Sequence, residues 1–448
     1  MKEITKWLDA KKTRPDGSEA HIPTRWAAME VGVEKALAKD ATTLASSDKR
    51  TLVVFDARTE HLSKPVIKAL RDQGLQVHTH VTADYHDGSP PSADDVRVER
   101  VYQDLLKYEV PFAVSVGSGT INDLTKSAAF QKGIPYLSYA TAASMNGYTS
   151  GIAALYVKGL KSTVPVAPPV GVYADPEVIA TADPIMNLAG LGDLCSKPFA
   201  GADASIAALL QGQTPWSLPS EMVEDVFQSS LEQAEAIGQN KPEAVAELMK
   251  ALWISGFSMT LAGSSAPASG GEHLWSHRLD MEQHDAHLPP VALHGTQVGV
   301  ACGLVRDLFE KVGALEQGFV KEQLAKAPSE PNPEGDDFGK WLRGRHPELS
   351  EGSMAAVEKE AAKKYHRATR EQLRAQLVEV WGQARVILLQ ARDHADRITL
   401  ALQRSKAPLT PQDIGITQER SDRTLRVCRD IRNRLTILDL AADLLDNS

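Results

Sequence analysis

Histidines are unusually dense in one short span of the chain. Five of the 13 fall there, at positions 273, 277, 284, 287 and 294. His273 and His277 are four residues apart, so they would share one face of a helix. His294 precedes an amphipathic stretch and could begin the next helix, which would fold back on the first. Imidazole is a common metal ligand, so the span favours a metal site. It does not choose among its members, since a single histidine is more often structural or solvated.

Two carboxylates are further candidates. Asp193 stands in the apolar, glycine-rich segment "GLGDLC", where a charge is costly unless it is paired or bound to a metal. Asp56 ends the apolar run "TLVVFD", where it could accept hydrogen bonds from an adenosine ribose. The local sequence is equally compatible with Asp56 as a helix cap. His284 and His287 lie in "EQHDAHLPP", which is typical of a loop.

One segment, "AVSVGSGTINDLTK" (113–126), combines an apolar strand, a Gly-x-Gly turn and a helix start. Gly117 and Gly119 would let the backbone approach a phosphate closely. Thr120 and the amides of the first helical turn could receive that phosphate. Asn122 stands where the dinucleotide fingerprint G-x-G-x-x-G has its third glycine. The pattern alone therefore leaves phosphate binding and an ordinary β–α turn both open.

The elements that carry these candidates are of two kinds. Strands are predicted over 51–57, 75–82, 111–120 and 135–141, where Val, Phe, Tyr and Thr are frequent. Helical spacing over 61–74 and 94–109 indicates βαβ crossovers and a parallel, Rossmann-like sheet. After about residue 182 the strand signals fade and helical patterns follow. We predict an α/β nucleotide-binding domain over 1–182 and an all-α, metal- and substrate-binding domain over 183–448.

Composition excludes several classes of protein. The chain is 42% hydrophobic and 24% charged, as in ordinary soluble domains. Its net charge of −9 argues against a nucleic-acid partner. No apolar run is long enough for a membrane span, and the polar N-terminus lacks a signal core. The three cysteines are far apart in sequence, so we expect a protein of the reducing cytoplasm.

Six ordered segments between about residue 50 and residue 305 carry a family resemblance. They read "VVFDART", "GSGTINDLTK", "TAASMNGYTSG", "GLGDLCSK", "SGGEHLWSHRLDM" and "LHGTQVGVA". Together they resemble the sn-glycerol-1-phosphate dehydrogenase family, which shares its metal-dependent fold with glycerol dehydrogenase and 3-dehydroquinate synthase. The resemblance implies a dehydroquinate synthase-like fold. It also implies an NAD(P)-dependent oxidoreductase that interconverts dihydroxyacetone phosphate and sn-glycerol 1-phosphate.

The resemblance assigns a role to particular positions. Asp56 would hold the adenosine ribose, and the pyrophosphate would be wrapped by Gly117, Ser118, Gly119, Thr120 and Ile121. The nicotinamide side would be lined by Thr141, Ser144, Ser150, Ile152 and Tyr156. The metal ligands would be Asp193, His273 and His294. His277 would contact the substrate and transfer a proton, and His284 and His287 would not be ligands.

Two positions depart from the pattern of related enzymes. Iron-type alcohol dehydrogenases of this fold place a fourth ligand, a histidine, four residues after the aspartate, where this chain has Lys197. We therefore expect zinc or nickel at a three-ligand site with one open position. Asn146 stands where the family usually has an aspartate that contacts the substrate. Asparagine keeps a hydrogen-bonding group and loses the negative charge. This loss would ease binding of a phosphate- or carboxylate-bearing substrate, or would equally mark a changed substrate or a weakened enzyme. We count Asn146 with His277 and Asp193 as catalytic candidates.

Cofactor preference, phosphate contacts and assembly remain expectations. Asp56 favours NAD over NADP, and we expect a small-molecule substrate and a homodimer. Lys126, Lys197 and Arg278 are candidates for contacting the phosphate. Three alternatives stay open: a dehydrogenase of glycerol or another uncharged polyol, a sugar-phosphate cyclase, and a binding protein that has lost turnover.

Overall fold

The chain is organised as two compact units. The computed structural model describes residues 1–45, 49–85, 88–157, 160–327 and 330–445. The first unit comprises Met1–Leu194 with Met222–Ser265, and the second comprises Cys195–Glu221 with Ala266–Ser448. The boundary predicted between residues 182 and 183 does not coincide with this division. The segment Met222–Ser265 groups with Met1–Leu194, so the first unit is discontinuous in sequence.

Ten strands lie in the described part of the first unit. They are β1 Lys11–Thr13, β2 Glu19–His21, β3 Trp26–Met29, β4 Arg50–Asp56, β5 Gln76–Thr82, β6 Ala113–Gly117, β7 Tyr136–Ala140, β8 Ile152–Val157, β9 Leu160–Pro165 and β10 Gly171–Ala174. Six of them form one parallel sheet in the order β3-β10-β7-β6-β4-β5. The pairs β1–β2 and β8–β9 are antiparallel ribbons.

The strand order changes direction between β4 and β6. From β4 the chain moves outward to β5 at the sheet edge, then returns to β6 on the other side of β4 and continues to β7. Ligands of open α/β sheets bind outside the carboxyl ends of the strands at such a switch point. Asp56 ends β4 and Gly117 ends β6. Both predicted nucleotide contacts therefore lie where the topology favours a ligand.

Twenty α-helices are present in the described residues of the two units. They are α1 Lys2–Thr5, α2 Glu34–Ala41, α3 Glu60–Asp72, α4 Asp95–Lys107, α5 Gly119–Lys132, α6 Pro176–Ala180, α7 Pro184–Cys195, α8 Lys197–Leu210, α9 Leu218–Glu232, α10 Ala234–Gly238, α11 Pro242–Ala262, α12 Gly271–Asp285, α13 His294–Gly313, α14 Gln317–Lys326, α15 Asp337–Arg345, α16 Glu351–Lys364, α17 Arg367–Asp393, α18 Ala395–Ser405, α19 Gln418–Val427 and α20 Ile437–Leu444. Short 3₁₀ helices cover Ala266–Ala268, Pro411–Ile414 and Cys428–Ile431.

Both faces of the sheet are covered, as its alternating side chains require. Val53 and Phe55 of β4 face a core that includes α2 and α3. Leu52 and Val54 point the other way, toward α4 and α5. The run of apolar residues in β4 is thus buried on both sides, which is typical of a central parallel strand.

The second unit is built from helices throughout its described residues. Asp203 of α8 connects two of its helix starts. One carboxylate oxygen accepts from the amide of Gly271 at 2.9 Å, and the other accepts from the amide of Ile437 at 2.7 Å. The beginnings of α12 and α20 are therefore held by a single buried side chain. Burial and the neighbouring Glu272 raise the pKa of Asp203 well above its usual value.

A buried histidine joins other parts of the second unit. The guanidinium Nε of Arg278 donates to Nδ1 of His346 at 3.0 Å, and Nε2 of His346 lies 3.0 Å from Asp430. Because Nδ1 accepts a hydrogen bond, the imidazole is neutral and donates through Nε2. Burial lowers the pKa of His346 below its ordinary value, against the opposing effect of Asp430. The arrangement requires a histidine that stays uncharged.

The predicted architecture of a parallel α/β sheet followed by a largely helical half is confirmed. The four predicted strands appear as β4, β5, β6 and β7. The sequence did not predict β3 and β10, which are only four residues long and complete one side of the sheet. None of the helices in the described part of the chain combines the length and apolar composition that a bilayer crossing requires.

Candidate functional site

The glycine turn joins β6 to α5 with little space for side chains. A Cβ on Gly117 would lie 2.6 Å from Cβ of Ile121, and one on Gly119 would lie 3.2 Å from Sδ of Met145. Helix α5 begins at Gly119. Its first backbone hydrogen bond between residues i and i−4 runs from the Asn122 amide to the Ser118 carbonyl. The preceding amides therefore have no partner of their own in the helical ladder, as in a phosphate-binding helix start.

Asn122 has a structural reason for replacing the third glycine. Its side chain is fully buried, and its Oδ1 accepts from the Ser138 hydroxyl at 3.0 Å and the Tyr136 hydroxyl at 3.4 Å. These contacts attach the first turn of α5 to β7. The glycine of the fingerprint serves close packing between helix and strand, and here hydrogen bonds perform that task. The sequence pattern did not predict this role of Asn122, because its partners lie on another strand.

Asp56 caps the turn that leads into α3. Its Oδ1 accepts from the amide of Thr59 at 2.9 Å and from the Thr59 hydroxyl at 2.8 Å. The predicted capping role of Asp56 thus involves one of its two carboxylate oxygens, Oδ1. The nearby Arg58 forms an ion pair with Asp84, so its guanidinium already has an acidic partner. The two roles of Asp56 are compatible, because a carboxylate has two oxygens and can accept several hydrogen bonds.

The segment that follows β7 contains the predicted nicotinamide contacts. The amide of Thr141 donates to the carbonyl of Gly117 at 3.2 Å, so this residue adjoins the glycine turn. The Ser150 hydroxyl lies 3.0 Å from the carbonyls of both Gly147 and Ile152. Ile152 and Tyr156 belong to β8, and Ser144 is half-buried in the loop before it.

Lys126 helps to hold the segment between β7 and β8. Its Nζ donates to the carbonyl of Gly147 at 2.6 Å and to that of Ile152 at 3.0 Å, and it lies 3.5 Å from Asp123. Burial lowers the pKa of Lys126, an effect that Asp123 opposes. The ammonium group is thus part of the loop's support, which argues against the predicted contact with a substrate phosphate.

Asp193 is held by Asn146. Asp193 lies on α7 and is almost completely buried. One of its oxygens accepts from the backbone amide of Asn146 at 2.9 Å, and the other accepts from the Asn146 side-chain amide at 3.0 Å. An aspartate at position 146 could not donate the second bond when ionised. Asn146 therefore orients the predicted metal ligand, a contact that the sequence did not predict.

Three histidines of the second unit face one another. His273 and His277 lie on α12, and His294 is the first residue of α13, as its sequence context predicted. The ring centroids of His273 and His294 are 5.2 Å apart, those of His277 and His294 are 5.3 Å apart, and those of His273 and His277 are 6.1 Å apart. Imidazoles bound tetrahedrally at metal–nitrogen distances of about 2.0–2.1 Å have centroids about 5 Å apart.

Residue type and spacing in this cluster fit a divalent ion. Within the described residues, no three His, Cys, Asp or Glu side chains already have their donor atoms gathered around one point that could hold an ion. Asp193 belongs to the first unit and the histidines to the second. The fit therefore rests on three neighbouring imidazoles and on buried groups that orient two of them.

Those orienting groups are residues that the sequence analysis missed. Oε1 of Glu272 lies 3.0 Å from Nδ1 of His273. The Ser276 hydroxyl lies 2.9 Å from Nδ1 of His294 and 2.9 Å from Oε1 of Gln297. Partners of this kind on the second ring nitrogen are typical of metal-binding histidines. The signal available in the sequence was helical spacing, because Gln297 follows His294 by three residues on one helix face.

The remaining candidates from the sequence are two histidines and two cations. His284 lies in the last turn of α12, where the sequence analysis predicted a loop, and His287 has a left-handed backbone with φ of 55° in the turn that follows. Nζ of Lys197 donates to the Ser196 hydroxyl and the Ala268 carbonyl. Arg278 bonds His346, Glu282 and Glu348. Lys197 and Arg278, like Lys126, are thus committed to internal partners.

A known family matches part of the first unit. Residues 31–183 match the family described as iron-containing alcohol dehydrogenase. The matched range contains the whole of α2 to α6, the glycine turn and Asp56. It ends before Asp193 and the histidines.

Named relatives extend the similarity into the helical half. A glycerol-1-phosphate dehydrogenase (NAD(P)+) of Bacillus velezensis is 32% identical over 298 residues, which are 65% of this chain and 74% of the relative. A glycerol-1-phosphate dehydrogenase (NAD(P)+) of Pyrococcus abyssi is 36% identical over 250 residues, 56% of this chain and 68% of the relative.

Solved structures share the fold at low sequence identity. The NADH-dependent butanol dehydrogenase A of Thermotoga maritima superposes with a TM-score of 0.58 at 15% identity, covering 95% of this chain and 96% of that one. The glycerol dehydrogenase of Schizosaccharomyces pombe gives a TM-score of 0.53 at 14% identity, covering 87% and 94% respectively. These likenesses concern the fold alone.

Proposed function

The chain belongs to the glycerol-1-phosphate dehydrogenase family, and from that membership we propose that it interconverts dihydroxyacetone phosphate and sn-glycerol 1-phosphate by hydride transfer with NAD(P). The observation that carries the proposal is the cluster of His273, His277 and His294 on facing helices. The glycine turn at the switch point of the sheet supports it independently, since that turn can receive the pyrophosphate of a dinucleotide.

The cofactor would bind along the carboxyl ends of β4, β6 and β7. The amides of residues 118–121 would receive the pyrophosphate, and Asp56 would accept from the adenosine ribose. We propose NAD as the preferred cofactor. A carboxylate about 4 Å from the extra phosphate of NADP costs about 1–4 kcal/mol between the dielectric of water and that of a protein surface. The ion pair of Arg58 with Asp84 supports this preference, because it gives the guanidinium two residues after Asp56 an acidic partner.

A divalent ion would be held by Asp193, His273 and His294, and we propose zinc or nickel. When bound, the ion would supply Lewis-acid polarisation of the substrate carbonyl. Asn146 holds the carboxylate of Asp193 through both of its oxygens. Glu272 and Ser276 hold the imidazoles of His273 and His294. These partners would fix the ligand orientations before any ion arrives.

Proton transfer would fall to His277. Its ring stacks on His294 at an interplanar angle of 13°, and it is less buried than His273. An imidazole can donate or accept a proton near neutral pH. His277 would donate to the substrate oxygen during ketone reduction and recover its proton from solvent.

A dehydrogenase of glycerol or another uncharged polyol is the second candidate. The observation that favours it is the internal commitment of Lys126, Lys197 and Arg278. Each of these three cations donates hydrogen bonds to internal partners. Under either candidate we further propose a cytoplasmic homodimer; the three buried cysteines are thiols, which suits a reducing compartment.

Steady-state kinetics on the protein loaded with Zn²⁺ or Ni²⁺ tests the proposal. NADH oxidation is measured with dihydroxyacetone phosphate, dihydroxyacetone and a sugar phosphate, and each is repeated with NADPH. We expect the highest kcat/KM with dihydroxyacetone phosphate and NADH. A higher kcat/KM with dihydroxyacetone would select the polyol candidate. Absence of turnover with every substrate, in protein that binds NADH and metal, would contradict both.

A further inference from the structure

A chain of buried hydrogen bonds ends on His294. It begins at the carboxylate of Asp280, whose Oδ1 accepts from Nε2 of Gln297 at 2.9 Å. The same Nε2 donates to the carbonyl of Ala292 at 2.9 Å. Oε1 of Gln297 lies 2.9 Å from the Ser276 hydroxyl, which lies 2.9 Å from Nδ1 of His294. Asp280, Gln297 and Ser276 are all buried.

The first partners determine the direction of every bond in this chain. An ionised carboxylate and a backbone carbonyl can only accept, so the Gln297 amide must present its nitrogen to them. Its oxygen then faces Ser276 and can only accept. The Ser276 proton is therefore donated to Gln297, and the Ser276 oxygen must accept from His294. This places the proton of His294 on Nδ1 and the lone pair on Nε2.

We infer that Asp280, Gln297 and Ser276 are positioning residues that set His294 in the Nδ1–H tautomer, and so make Nε2 the nitrogen available to a divalent ion. The inference deepens the proposed function and rests on it for the presence of the ion. The tautomer itself is a property of the metal-free chain. A hydrogen-bonded partner on the second nitrogen is what orients a histidine for ligation.

Two substitutions interrupt the chain at different points. Ser276→Ala removes the acceptor of the Nδ1 proton and leaves the tautomer of His294 unconstrained. Gln297→Met removes the acceptor of the Ser276 proton at similar side-chain size. The Ser276 hydroxyl would then donate to His294 and reverse the tautomer. Ser405→Ala is the matched control, because this buried hydroxyl of the same unit donates to the carbonyl of Leu402 within its own helix.

The tautomer is read by ¹⁵N NMR of metal-free protein labelled at histidine, at pH about 8, above the ordinary histidine pKa. We expect Nδ1–H for His294 in wild type and Ser405→Ala, a mixture in Ser276→Ala, and Nε2–H in Gln297→Met. His294 is assigned by its absence in His294→Gln. Nε2–H in the wild type, or an unchanged tautomer in both chain variants, overturns the inference.

Zinc affinity provides the second readout. Zn²⁺ is titrated against a chromophoric chelator, and circular dichroism verifies that each variant is folded. We expect Ser276→Ala and Gln297→Met to bind about 10–100-fold more weakly than wild type, with Ser405→Ala unchanged. Wild-type affinity in both folded variants overturns the inference. If the wild type binds no Zn²⁺, the proposed metal site fails, while the NMR measurement still decides the tautomer.

Discussion

The two units present different kinds of atoms that could bind a ligand. In the sheet unit the glycine turn offers backbone amides, and Gly117 is needed because a Cβ would meet Ile121 at 2.6 Å. In the helical unit the imidazoles of His273, His277 and His294 offer ring nitrogens. Position and main-chain shape define the first group, whereas residue identity and orientation define the second.

This difference shows where each part tolerates change. Ser118 can stand between the two glycines of the turn, because its contribution is an amide that every residue except proline possesses. A histidine has no such substitute, since a ligand needs both its nitrogen and the partner that orients it. Asn146 is an exception within the sheet unit, because its side-chain amide holds Asp193.

The largest effect should come from His294→Ala. Loss of one of three protein ligands leaves a remnant that binds weakly, so we expect zinc affinity to fall by more than the ~100-fold that loss of an outer partner can cost. Activity should disappear in parallel, while NADH affinity is retained. His284→Ala is the matched control and should bind zinc normally. Full zinc occupancy in His294→Ala, measured by elemental analysis, would contradict the ligand assignment.

Asn146→Asp tests whether the exception in the sheet unit is real. Two carboxylates about 3 Å apart would replace a hydrogen bond, so the metal-free protein should lose about 1–3 kcal/mol in its free energy of unfolding. Added zinc should restore much of this loss, because a cation screens the pair. The extra charge should also shift kcat/KM toward dihydroxyacetone and away from its phosphate.

The control for Asn146→Asp is Asn332→Asp. Asn332 is exposed and uses its side-chain oxygen to accept from the Glu334 amide, which an aspartate can also do. Its stability should therefore be almost unchanged. If urea denaturation gives both variants the same stability as wild type, Asn146 does not hold Asp193 through its side-chain amide.

Gly117→Ala tests the backbone-defined part. The added methyl group must displace Ile121, the first residue beyond the turn with a buried side chain. We expect a destabilisation of about 1–3 kcal/mol and weaker NADH binding, with zinc affinity unchanged. Gly382→Ala, where a Cβ meets nothing within 4 Å, should be neutral or slightly stabilising. Unaltered NADH binding by calorimetry would mean that the turn does not contact the cofactor.

His346→Gln should have the smallest effect, confined to pH dependence. The folded pKa of His346 is lowered by burial, so its contribution to stability is complete above the unfolded value of about 6.5 and is lost as pH falls below it. Glutamine can accept from Arg278 and donate to Asp430 without titrating. The loss of stability between pH about 7 and about 5.5 should shrink by at most about 1.4 kcal/mol per pH unit.

The exposed His61→Gln is the control for His346→Gln. It should leave the pH dependence of urea denaturation as in the wild type. An identical pH dependence in His346→Gln and the wild type would show that this histidine does not titrate on unfolding in the expected range.

Sequence patterns were most informative where local chemistry determines local structure. The Val-rich runs predicted β4 and β6, and the Gly-x-Gly spacing predicted the turn between strand and helix. The start of a helix at His294 followed from its amphipathic context. Each of these features depends on residues within a few positions of one another.

Contacts between distant residues were beyond such patterns. Asn146 and Asp193 are 47 positions apart, and their hydrogen bonds depend on how α7 packs within the first unit. The same holds for Lys126, whose charge made it a candidate for phosphate binding although burial directs it to two carbonyls. Charge can be read from sequence, but the partner that satisfies it is fixed by tertiary packing.

Because Asp203 accepts hydrogen bonds from the amides of both Gly271 and Ile437, the C-terminal helix α20 and the histidine-bearing helix α12 are held by the same side chain. Helix α12, which carries His273 and His277, shares its anchoring carboxylate with a helix that begins 166 positions later. Side chains of Ile437 and Leu438 also lie against the start of α12. The C-terminal helix α20 thus packs against the start of α12 and shares its anchoring residue. A shortened enzyme that ended before α20 would keep the bond from the Gly271 amide to Asp203, but the other oxygen of this buried carboxylate would lose the Ile437 amide. Loss of the tail would therefore call for a change at Asp203.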